Sequence, residues 1–534
     1  MKKVYTDLKF DLFLYSIITL VLSIVMVSEA YILQYIIDSF TFRKLEDYIY
    51  VIIPLALFLI SQTIIYYKQQ YMAAALSKKS SYLLRRELFE NISDSSVNLL
   101  SGIKRDKILS ILSTQVDQVE NYYFYTIFWG GYLICQLFVA IVISLTINPA
   151  LSLITILLSL PNLLIALFFK KNIEKNQEEL FEANNTYLYK TQDLTEGIVE
   201  WKINSNGKNI QKVFDFINNN LLVKSSKVIK YENYISSLNQ LFSNVLYFGS
   251  WFVGGIYIIK GDLSIGGLVA FSQLIARISF PVYASSDLIP KYVSGKKILK
   301  TLFYEFPSNY EIGKYKQTEN KEIESISFKN YLLKDREDKL LLRFNYEFFK
   351  GMKYILVGES GSGKTTIIRS IIKDYVDYNG DIFINKENIK CIDEYYIHKK
   401  IAYIPQEPHI FDGTIADNIT MFSSEYDINE VIKILNFVEL GKWANEKSLL
   451  TDISKNKLKI SGGEAKRISL ARALFQNKNI LLLDEFSSGI DKLTLRKIEE
   501  KLFNSDKTII YVTHLETNIS KNSHYNVVDL SFYK

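Results

Sequence analysis

The sequence is short of the residues that build disulfide frameworks and metal sites. Among its 534 residues are two cysteines, Cys135 and Cys391, which lie far apart in the chain. One falls in an apolar run and the other in the polar half, so no disulfide framework is expected. The four histidines are scattered and show no metal-ligand spacing. These absences exclude a disulfide-stapled domain and a metal centre built from cysteine and histidine.

The sequence also lacks the charge pattern of a nucleic-acid-binding protein. Its net charge of +6 is small for a chain of this length. No run of basic residues is interleaved with aromatic residues, as it is in proteins that bind single strands. We therefore expect no nucleic acid among the partners.

The first half of the chain contains long apolar runs instead. A helix that spans a bilayer needs about 20 predominantly apolar residues, and six runs qualify. The first run continues to about residue 37 and has no small-residue cleavage site, which indicates a retained membrane helix and not a signal peptide. The six predicted spans are residues 12–38, 48–68, 124–146, 148–170, 236–259 and 263–286.

The connections between the spans alternate in length, and this predicts their topology. Those after the first, third and fifth spans are short, whereas those after the second and fourth exceed fifty residues and are rich in Lys and Arg. The basic residues near the span ends place the long connections and both termini in the cytoplasm. Leu83, Leu88 and Phe89 have helical spacing, so we expect helices that extend past the bilayer into the cytoplasm.

Two ionisable residues fall inside the predicted spans. Glu29 lies toward the outer end of the first span, and Arg277 lies in the inner half of the sixth. Charged groups at membrane depth are costly and usually face a cavity or a partner, so they are candidates for a substrate pathway. The alternatives are snorkelling to the interface and hydrogen bonding between helices.

A glycine-rich loop between a strand and a helix marks the second half. The stretch KYILVGESGSGKTTIIRSII, residues 353–372, contains the pattern G-x-x-x-x-G-K-[ST]. Its glycines allow backbone N–H groups to approach phosphates, Lys364 would neutralise phosphate oxygens, and Thr365 would hold Mg²⁺. The predicted ATP-binding residues are Gly358, Glu359, Ser360, Gly361, Ser362, Gly363, Lys364, Thr365 and Thr366.

Three further strands end in polar residues that suit phosphate hydrolysis. The apolar run before Asp484 and Glu485 predicts a buried strand that presents a Mg²⁺ ligand, Asp484, and a general base, Glu485. His514 closes another apolar run, within reach of a γ-phosphate if the strands are neighbours. Gln406 follows a third strand, and its amide can touch the metal and water shell.

These observations predict two folded domains. We expect a membrane α-helical domain in residues 1–300, with six transmembrane helices and long cytoplasmic extensions. A charged linker is predicted at residues 301–325. An α/β P-loop NTPase domain is predicted at residues 326–534.

The order of the motifs resembles that of one transporter family. The soluble half resembles the nucleotide-binding domain of ATP-binding-cassette (ABC) transporters, and the whole chain resembles an exporter-type half-transporter. The phosphate loop, YIPQEPHIFDGTIADNI, ISGGE, LLLDE and VTH occur in the family's order. The stretch ISGGEAKRISLARAL resembles the family signature, although Ile460 and Glu464 stand where leucine and glutamine are usual.

The resemblance implies roles for particular residues. Ser461, Gly462 and Gly463 would cap the ATP held by a partner chain, and Asp491 would serve communication between subunits. The family usually stacks adenine on an aromatic residue upstream of the phosphate loop, where this chain has Asp335, with Tyr331 as the nearest aromatic residue. The implied catalytic residues are Glu485, His514 and Gln406, and the implied Mg²⁺ ligands are Thr365, Gln406 and Asp484.

The resemblance implies ATP-driven export of an amphipathic substrate, a small bacteriocin-like peptide or a drug-like molecule, by alternating access in a homodimer. The expected location is the cytoplasmic membrane of a bacterium, with ATP and Mg²⁺ as cofactors. Alternatives are a flippase for lipid or lipid-linked substrates, a membrane-tethered regulatory ATPase, and pairing with a paralogous half-transporter. No peptidase domain precedes the first span, so no leader trimming by this chain is expected. Segments 93–107 and 180–195 are expected to dock on the cassettes.

Overall fold

The computed structural model describes residues 6, 8–41, 52–103, 105–306, 322–334, 339–453, 460–513 and 525–533. The chain forms two compact units. The first comprises Met1–Ser93 and Arg105–Ser308, and the second comprises Asp94–Lys104 and Asn309–Lys534. The described residues form fifteen α-helices, with Arg105–Ile147 counted as one, and eight of them lie before residue 306. The eight are α1 Lys9–Thr41, α2 Ile52–Ser93, α3 Val97–Gly102, α4 Arg105–Ile147, α5 Pro149–Glu196, α6 Ile198–Ile203, α7 Gly207–Lys260 and α8 Ile265–Glu305.

The first unit is a bundle of long helices with membrane-spanning composition. Among the described residues, α1, α2, α4, α7 and α8 are long and apolar enough to cross a bilayer, and α5 begins with a shorter apolar stretch, Pro149–Ser159. The predicted helical membrane domain is therefore confirmed. Five spans are detected where six were predicted, and the remaining predicted span, 148–170, falls within α5.

The helices of this unit continue well beyond the thickness of a bilayer. Helix α2 has 42 residues and α7 has 54, whereas about 20 residues cross the hydrocarbon core. Their ends are set by local chemistry: the Asn148 side chain accepts the N–H of Leu151 at the start of α5, and Gly261 adopts a left-handed conformation at the end of α7. The predicted extension of helices past the bilayer agrees with these lengths.

One ion pair links the first and last helices of the bundle. Arg277 of α8 donates to the Glu29 carboxylate of α1 at 3.0 Å, and small and aliphatic residues of α1, α4 and α8 form a packed cluster between the same helices. The contact brings together the two ionisable residues that the sequence places inside the predicted spans. Hydropathy locates a span along its own sequence, but it does not fix how neighbouring helices are shifted along their axes.

The second unit contains two sheets and seven further helices. One sheet is antiparallel with strand order β2-β1-β4-β5, and the other is parallel with order β6-β7-β8-β3-β9. The strands are β1 Ser325–Lys334, β2 Leu340–Phe349, β3 Lys353–Val357, β4 Asn379–Ile384, β5 Glu387–Asn388, β6 Ile401–Ile404, β7 Ile480–Asp484, β8 Thr508–Val512 and β9 Asn526–Asp529. The helices are α9 Lys364–Ile371, α10 Glu394–Lys400, α11 Ile415–Thr420, α12 Ile428–Phe437, α13 Glu446–Leu449, α14 Gly462–Phe475 and α15 Lys492–Phe503.

The parallel sheet explains the continuous apolar runs of the sequence. Every residue of β7 and of β8 is buried, because helices cover both faces of a parallel sheet. In the strand order, β8 lies between β7 and β3, and β7 lies between β6 and β8. The carboxyl ends of β3, β6, β7 and β8 therefore meet at one edge of the sheet, where α/β proteins bind ligands.

Helix α3 belongs to the second unit although it lies between helices of the first. The N–H of Val97 donates to the carboxylate of Glu394 at 3.0 Å, and the hydroxyl of Ser101 donates to the carboxylate of Asp374. Burial raises the pKa of Glu394, whereas the hydrogen bond from Val97 acts to lower it. Most of the predicted docking segment 93–107 is thus part of the cassette unit, whereas the other segment, 180–195, lies within α5.

A buried carboxyl group of α15 makes the stability of the second unit depend on pH. Glu499 is 7% exposed, and burial raises its pKa above the usual value. A group whose pKa is raised by folding stabilises the fold fully below its unfolded pKa, and this stabilisation is lost as pH rises through the folded pKa.

Glu499→Gln should therefore raise the free energy of unfolding around α15 and β8 by about 1 kcal/mol at pH 8, and by less at pH 5. Hydrogen exchange of peptides from these elements in the full-length protein measures the effect. Glu500→Gln is the control, because Glu500 is half exposed and pairs with Arg496. Equal stabilisation at both pH values would contradict the prediction.

Candidate functional site

The loop between β3 and α9 has a backbone that requires glycine. Gly358, Gly361 and Gly363 have φ values of +152°, +80° and +90°. A β-carbon on Gly363 would lie 2.8 Å from the Cδ2 of Leu333, too close for a real contact. The loop leads into α9, so the positive end of this helix and its unpaired N–H groups are directed at whatever the loop encloses.

Lys364 folds back over this loop. Its ammonium is buried and donates to the carbonyl oxygens of Gly358 at 2.7 Å and Glu359 at 2.8 Å. Burial lowers the pKa of Lys364, whereas the nearby acidic groups Glu485 and Asp484 act to raise it. Within the described residues, the buried hydroxyl of Ser362 has no hydrogen-bond partner, which leaves it available to an anion in the loop.

Asp484 lies at the end of β7 and is anchored from two sides. It is 2% exposed, and its two carboxylate oxygens accept hydrogen bonds from the Thr365 hydroxyl at 2.9 Å and the Tyr403 hydroxyl at 3.0 Å. Burial raises the pKa of Asp484, and the hydrogen bonds from Thr365 and Tyr403 act against that rise. A hydroxyl beside a carboxylate is a donor set that fits Mg²⁺, which takes few protein ligands and completes its shell with water and phosphate oxygens.

Glu485 follows Asp484 in an unusual backbone conformation. Its φ is +45°, which is rare for a residue with a side chain. Its N–H donates to the carbonyl of Val512 at 3.0 Å, and its carboxylate accepts a hydrogen bond from the amide of Gln406. The structure thus brings together Lys364, Thr365, Gln406 and the two adjacent acids. His514 lies outside the described residues.

The ISGGE stretch, residues 460–464 and here called the signature loop, starts α14. Ser461 and Glu464 form a capping box in which the N–H of Ser461 donates to Glu464 at 2.9 Å. Lys442 also donates to the Glu464 carboxylate. Burial opposes ionisation of Glu464, but the hydrogen bonds from Lys442 and Ser461 lower its pKa overall. The charge of Glu464 is therefore matched within the chain.

Asp491 and Tyr331 both have structural roles within the second unit. Asp491 caps α15 by accepting the N–H of Thr494 at 2.9 Å, and this bond lowers its pKa. Tyr331 is fully buried in β1 with its hydroxyl 2.9 Å from that of Ser370, so it offers no face to a base. Asp335, the other residue considered for the adenine position, lies outside the described residues.

Two residues at this site were missed by reasoning from the sequence. Tyr403 is a hydroxyl-bearing residue in an otherwise apolar strand, and only its contact with Asp484 reveals its importance. Lys466 is a buried lysine of α14 that contacts the backbone after β7. The sequence does show a lysine within an alanine-rich helix, but this pattern alone does not predict which groups the lysine contacts.

The family models match both halves of the chain. The model of the ABC transporter transmembrane region matches residues 12–282, and the ABC transporter model matches residues 341–488. The chain belongs to the ABC transporter family. Its helical membrane domain precedes its cassette, which is the arrangement of an exporter-type half-transporter, and the cassette implies ATP hydrolysis coupled to transport.

The relatives are bacterial export proteins. The transport/processing ATP-binding protein ComA of Streptococcus pneumoniae is 27% identical over 96% of this chain and 72% of its own length. The putative export ATP-binding/permease protein RC1073 of Rickettsia conorii is 26% identical over 90% of this chain and 84% of its own. The lactococcin-A transport/processing ATP-binding protein LcnC of Lactococcus lactis is 27% identical over 70% of this chain and 53% of its own.

The fold also matches a solved exporter. A bacterial Atm1-family ABC exporter with ATP bound superposes with a TM-score of 0.82, covering 98% of this chain and 93% of that one at 18% identity. The predicted family, fold class and ATPase activity coupled to transport are confirmed. ABC transporters of this kind are multi-pass membrane proteins, and the relatives are bacterial.

Tyr403→Phe tests the support of Asp484. The variant leaves this carboxylate held by Thr365 alone, so the maximal rate of ATP hydrolysis should fall about tenfold, the loss typical when an outer partner of a metal-binding group is removed. The rate is measured with the detergent-solubilised protein at saturating ATP and Mg²⁺. Tyr395→Phe is the matched control because Tyr395 is 73% exposed. An unchanged rate in Tyr403→Phe would exclude this support role.

Proposed function

We propose that this chain exports an amphipathic substrate, a small bacteriocin-like peptide, across the cytoplasmic membrane as a homodimer driven by ATP. The observation that carries the proposal is the assembly of Lys364, Thr365, Asp484 and Glu485 at one sheet edge, in a chain that also has a helical membrane domain. Relatives named for the transport of lactococcin-A and for transport and processing favour a peptide. A drug-like amphiphile is the second choice.

In this proposal the loop from Gly358 to Thr366 binds the phosphates of ATP. Its backbone N–H groups and the start of α9 face the phosphates, and Lys364 exchanges its carbonyl contacts for phosphate oxygens. Thr365, Asp484 and Gln406 would hold Mg²⁺, which when bound screens the charge of the phosphates. Thr365 and Asp484 are already in contact, so these two oxygen ligands need little rearrangement.

Glu485 is the proposed general base. It accepts a proton from the water that attacks the γ-phosphate, and Gln406, which contacts its carboxylate, orients that water. His514 would contact the γ-phosphate, a role that rests on the family resemblance. Since the chain has both Glu485 and His514, its own site has the residues for hydrolysis, and this favours a homodimer over pairing with a paralogous half-transporter.

The signature loop is proposed to meet the ATP of the partner chain. The N–H of Ser461 is taken by Glu464, but Gly462 and Gly463 open α14 and present first-turn N–H groups. Among the described residues, no heavy atom would lie within 4 Å of a β-carbon on Gly462, so this position is open on that side. Asp491 would contribute to communication between the subunits.

In this proposal, transport is driven by a difference in ATP affinity between two arrangements of the spans. Two ATP molecules held between paired cassettes favour one arrangement of the spans, and hydrolysis removes that preference. Both termini and the cassette would face the cytoplasm.

We propose that Glu29 and Arg277 line the substrate pathway, because each side chain of this ion pair stays about one-third exposed, at 39% and 34%. A lipid flippase and a membrane-tethered regulatory ATPase remain the alternative functions.

Glu485→Gln tests the general base and the export function together. ATP hydrolysis should fall at least about 100-fold, because a general base contributes 10²–10⁴-fold, while ATP binding is retained. Glu500→Gln is the control, since Glu500 is a half-exposed glutamate of α15. Robust ATPase activity in Glu485→Gln would exclude the assignment of Glu485.

The Glu485→Gln variant also identifies the substrate class in cells. Peptides, lipids and small metabolites in the medium and outer leaflet are compared between cells that make the wild type and cells that make Glu485→Gln. Loss of a peptide from the medium supports the proposal, whereas loss of outward lipid transfer favours the flippase. An unchanged profile, with ATPase activity in the wild type, favours the regulatory ATPase.

Gly462→Ala tests the encounter with the partner's nucleotide. The added methyl group has no neighbour within 4 Å among the described residues of its own chain, but it would stand between α14 and a partner's γ-phosphate. We expect ATP hydrolysis to fall at least about tenfold with unchanged ATP binding and unchanged thermal stability. Gly441→Ala is the control because its methyl group would have only an ordinary contact at 3.7 Å. Full activity in Gly462→Ala would contradict the proposed role of the signature loop.

A further inference from the structure

A buried lysine connects the signature helix α14 with the backbone that carries Glu485. Lys466 is 4% exposed, and its ammonium donates to the carbonyl of Glu485 at 2.7 Å. It also donates to the carbonyl and the hydroxyl of Ser488, both at 2.9 Å. An ammonium group has three donors, so each has an acceptor and all of these acceptors lie in one turn.

The three acceptors belong to the segment that shapes the proposed catalytic carboxylate. This segment, Glu485–Asp491, is here called the base turn. Glu485 has a left-handed backbone conformation that costs free energy unless its surroundings hold it. Its N–H is fixed on Val512, and its carbonyl accepts bonds from both Lys466 and the N–H of Ser488. The peptide groups on both sides of Glu485 are therefore held, one by the sheet and one by α14.

A second contact joins α14 to the base turn. A β-carbon on Gly463 would lie 2.3 Å from the carbonyl oxygen of Gly489, so the two backbones touch with no space for a side chain. Lys466 and Gly463 lie within the first two turns of α14, next to the signature loop. The start of this helix and the base turn are thus attached at two points, and a movement of one displaces the other.

We propose that Lys466 is a positioning residue for ATP hydrolysis, which holds the carboxylate of Glu485 in its reactive direction and ties that direction to the position of the signature loop. The inference rests on the proposed function, in which Glu485 serves the chain's own ATP and the signature loop meets the partner's. When the partner's nucleotide docks on α14, the effect passes through the Lys466 ammonium to Glu485, the general base for the chain's own ATP. Hydrolysis at the two sites is linked within each chain.

Lys466→Met tests the inference, with Lys501→Met as the matched control. Lys501 also gives its ammonium to two backbone carbonyls and one side-chain oxygen, those of Asn436, Phe437 and Glu439, but none of them belongs to the site. In the full-length protein we expect Lys466→Met to lower kcat at least tenfold, with KM for ATP within twofold of the wild type and a Hill coefficient near one. Lys501→Met should leave all three unchanged.

A double-mutant cycle separates positioning from a general loss of structure. If Lys466 acts through Glu485, Lys466→Met should cause no further loss in the Glu485→Gln background, as measured by single-turnover hydrolysis. An equal fold-loss in both backgrounds, or a wild-type kcat in Lys466→Met, would overturn the inference. If Glu485→Gln itself keeps its activity, the proposed function fails first, so the two failures are distinguishable.

Discussion

The geometry of the cassette depends on one buried carboxylate, that of Asp484. A charge that is 2% exposed must be compensated by hydrogen-bond donors, and here the donors are Thr365 and Tyr403. The three residues come from β7, from the helix after β3 and from β6. Because these strands end at one edge of a parallel sheet, a single carboxylate fixes the phosphate loop relative to the strand that leads to Glu485. Satisfying one buried charge therefore also arranges the residues that meet the nucleotide.

The buried cations of the site are satisfied in the opposite way, by neutral groups. Lys364 and Lys466 donate mainly to backbone carbonyls, and among the described residues neither forms a salt bridge with a carboxylate. Carbonyl oxygens satisfy the donors of an ammonium without cancelling its charge. The two lysines therefore leave a positive potential beside Asp484 and Glu485, which suits a ligand carrying several negative charges. The bond from Lys466 to the carbonyl of Glu485 also holds the strained backbone of that residue.

The motifs of the site could be predicted from the sequence because each is a local run of residues. The glycine loop, the strand ending in Asp484 and the start of α14 all depend on chemistry within about ten residues, and the structure has the corresponding elements. Tyr403 and Lys466 could not be predicted, because their partners are distant in sequence and only packing brings them together. The catalytic and binding roles assigned to the site residues stay predictions.

Helix α3 belongs to the cassette unit, yet it is continuous in the chain with α2. Only three residues separate the end of α2 at Ser93 from the start of α3 at Val97. A fully extended chain covers at most about 3.6 Å per residue, so this link spans no more than about 14 Å. The cassette unit is thus joined to the end of a membrane helix by a link of three residues. Because the link is this short, α3 cannot move farther than that length from the end of α2 unless α2 moves with it or its last turn unwinds, so the connection transmits motion between the cassette and a membrane helix.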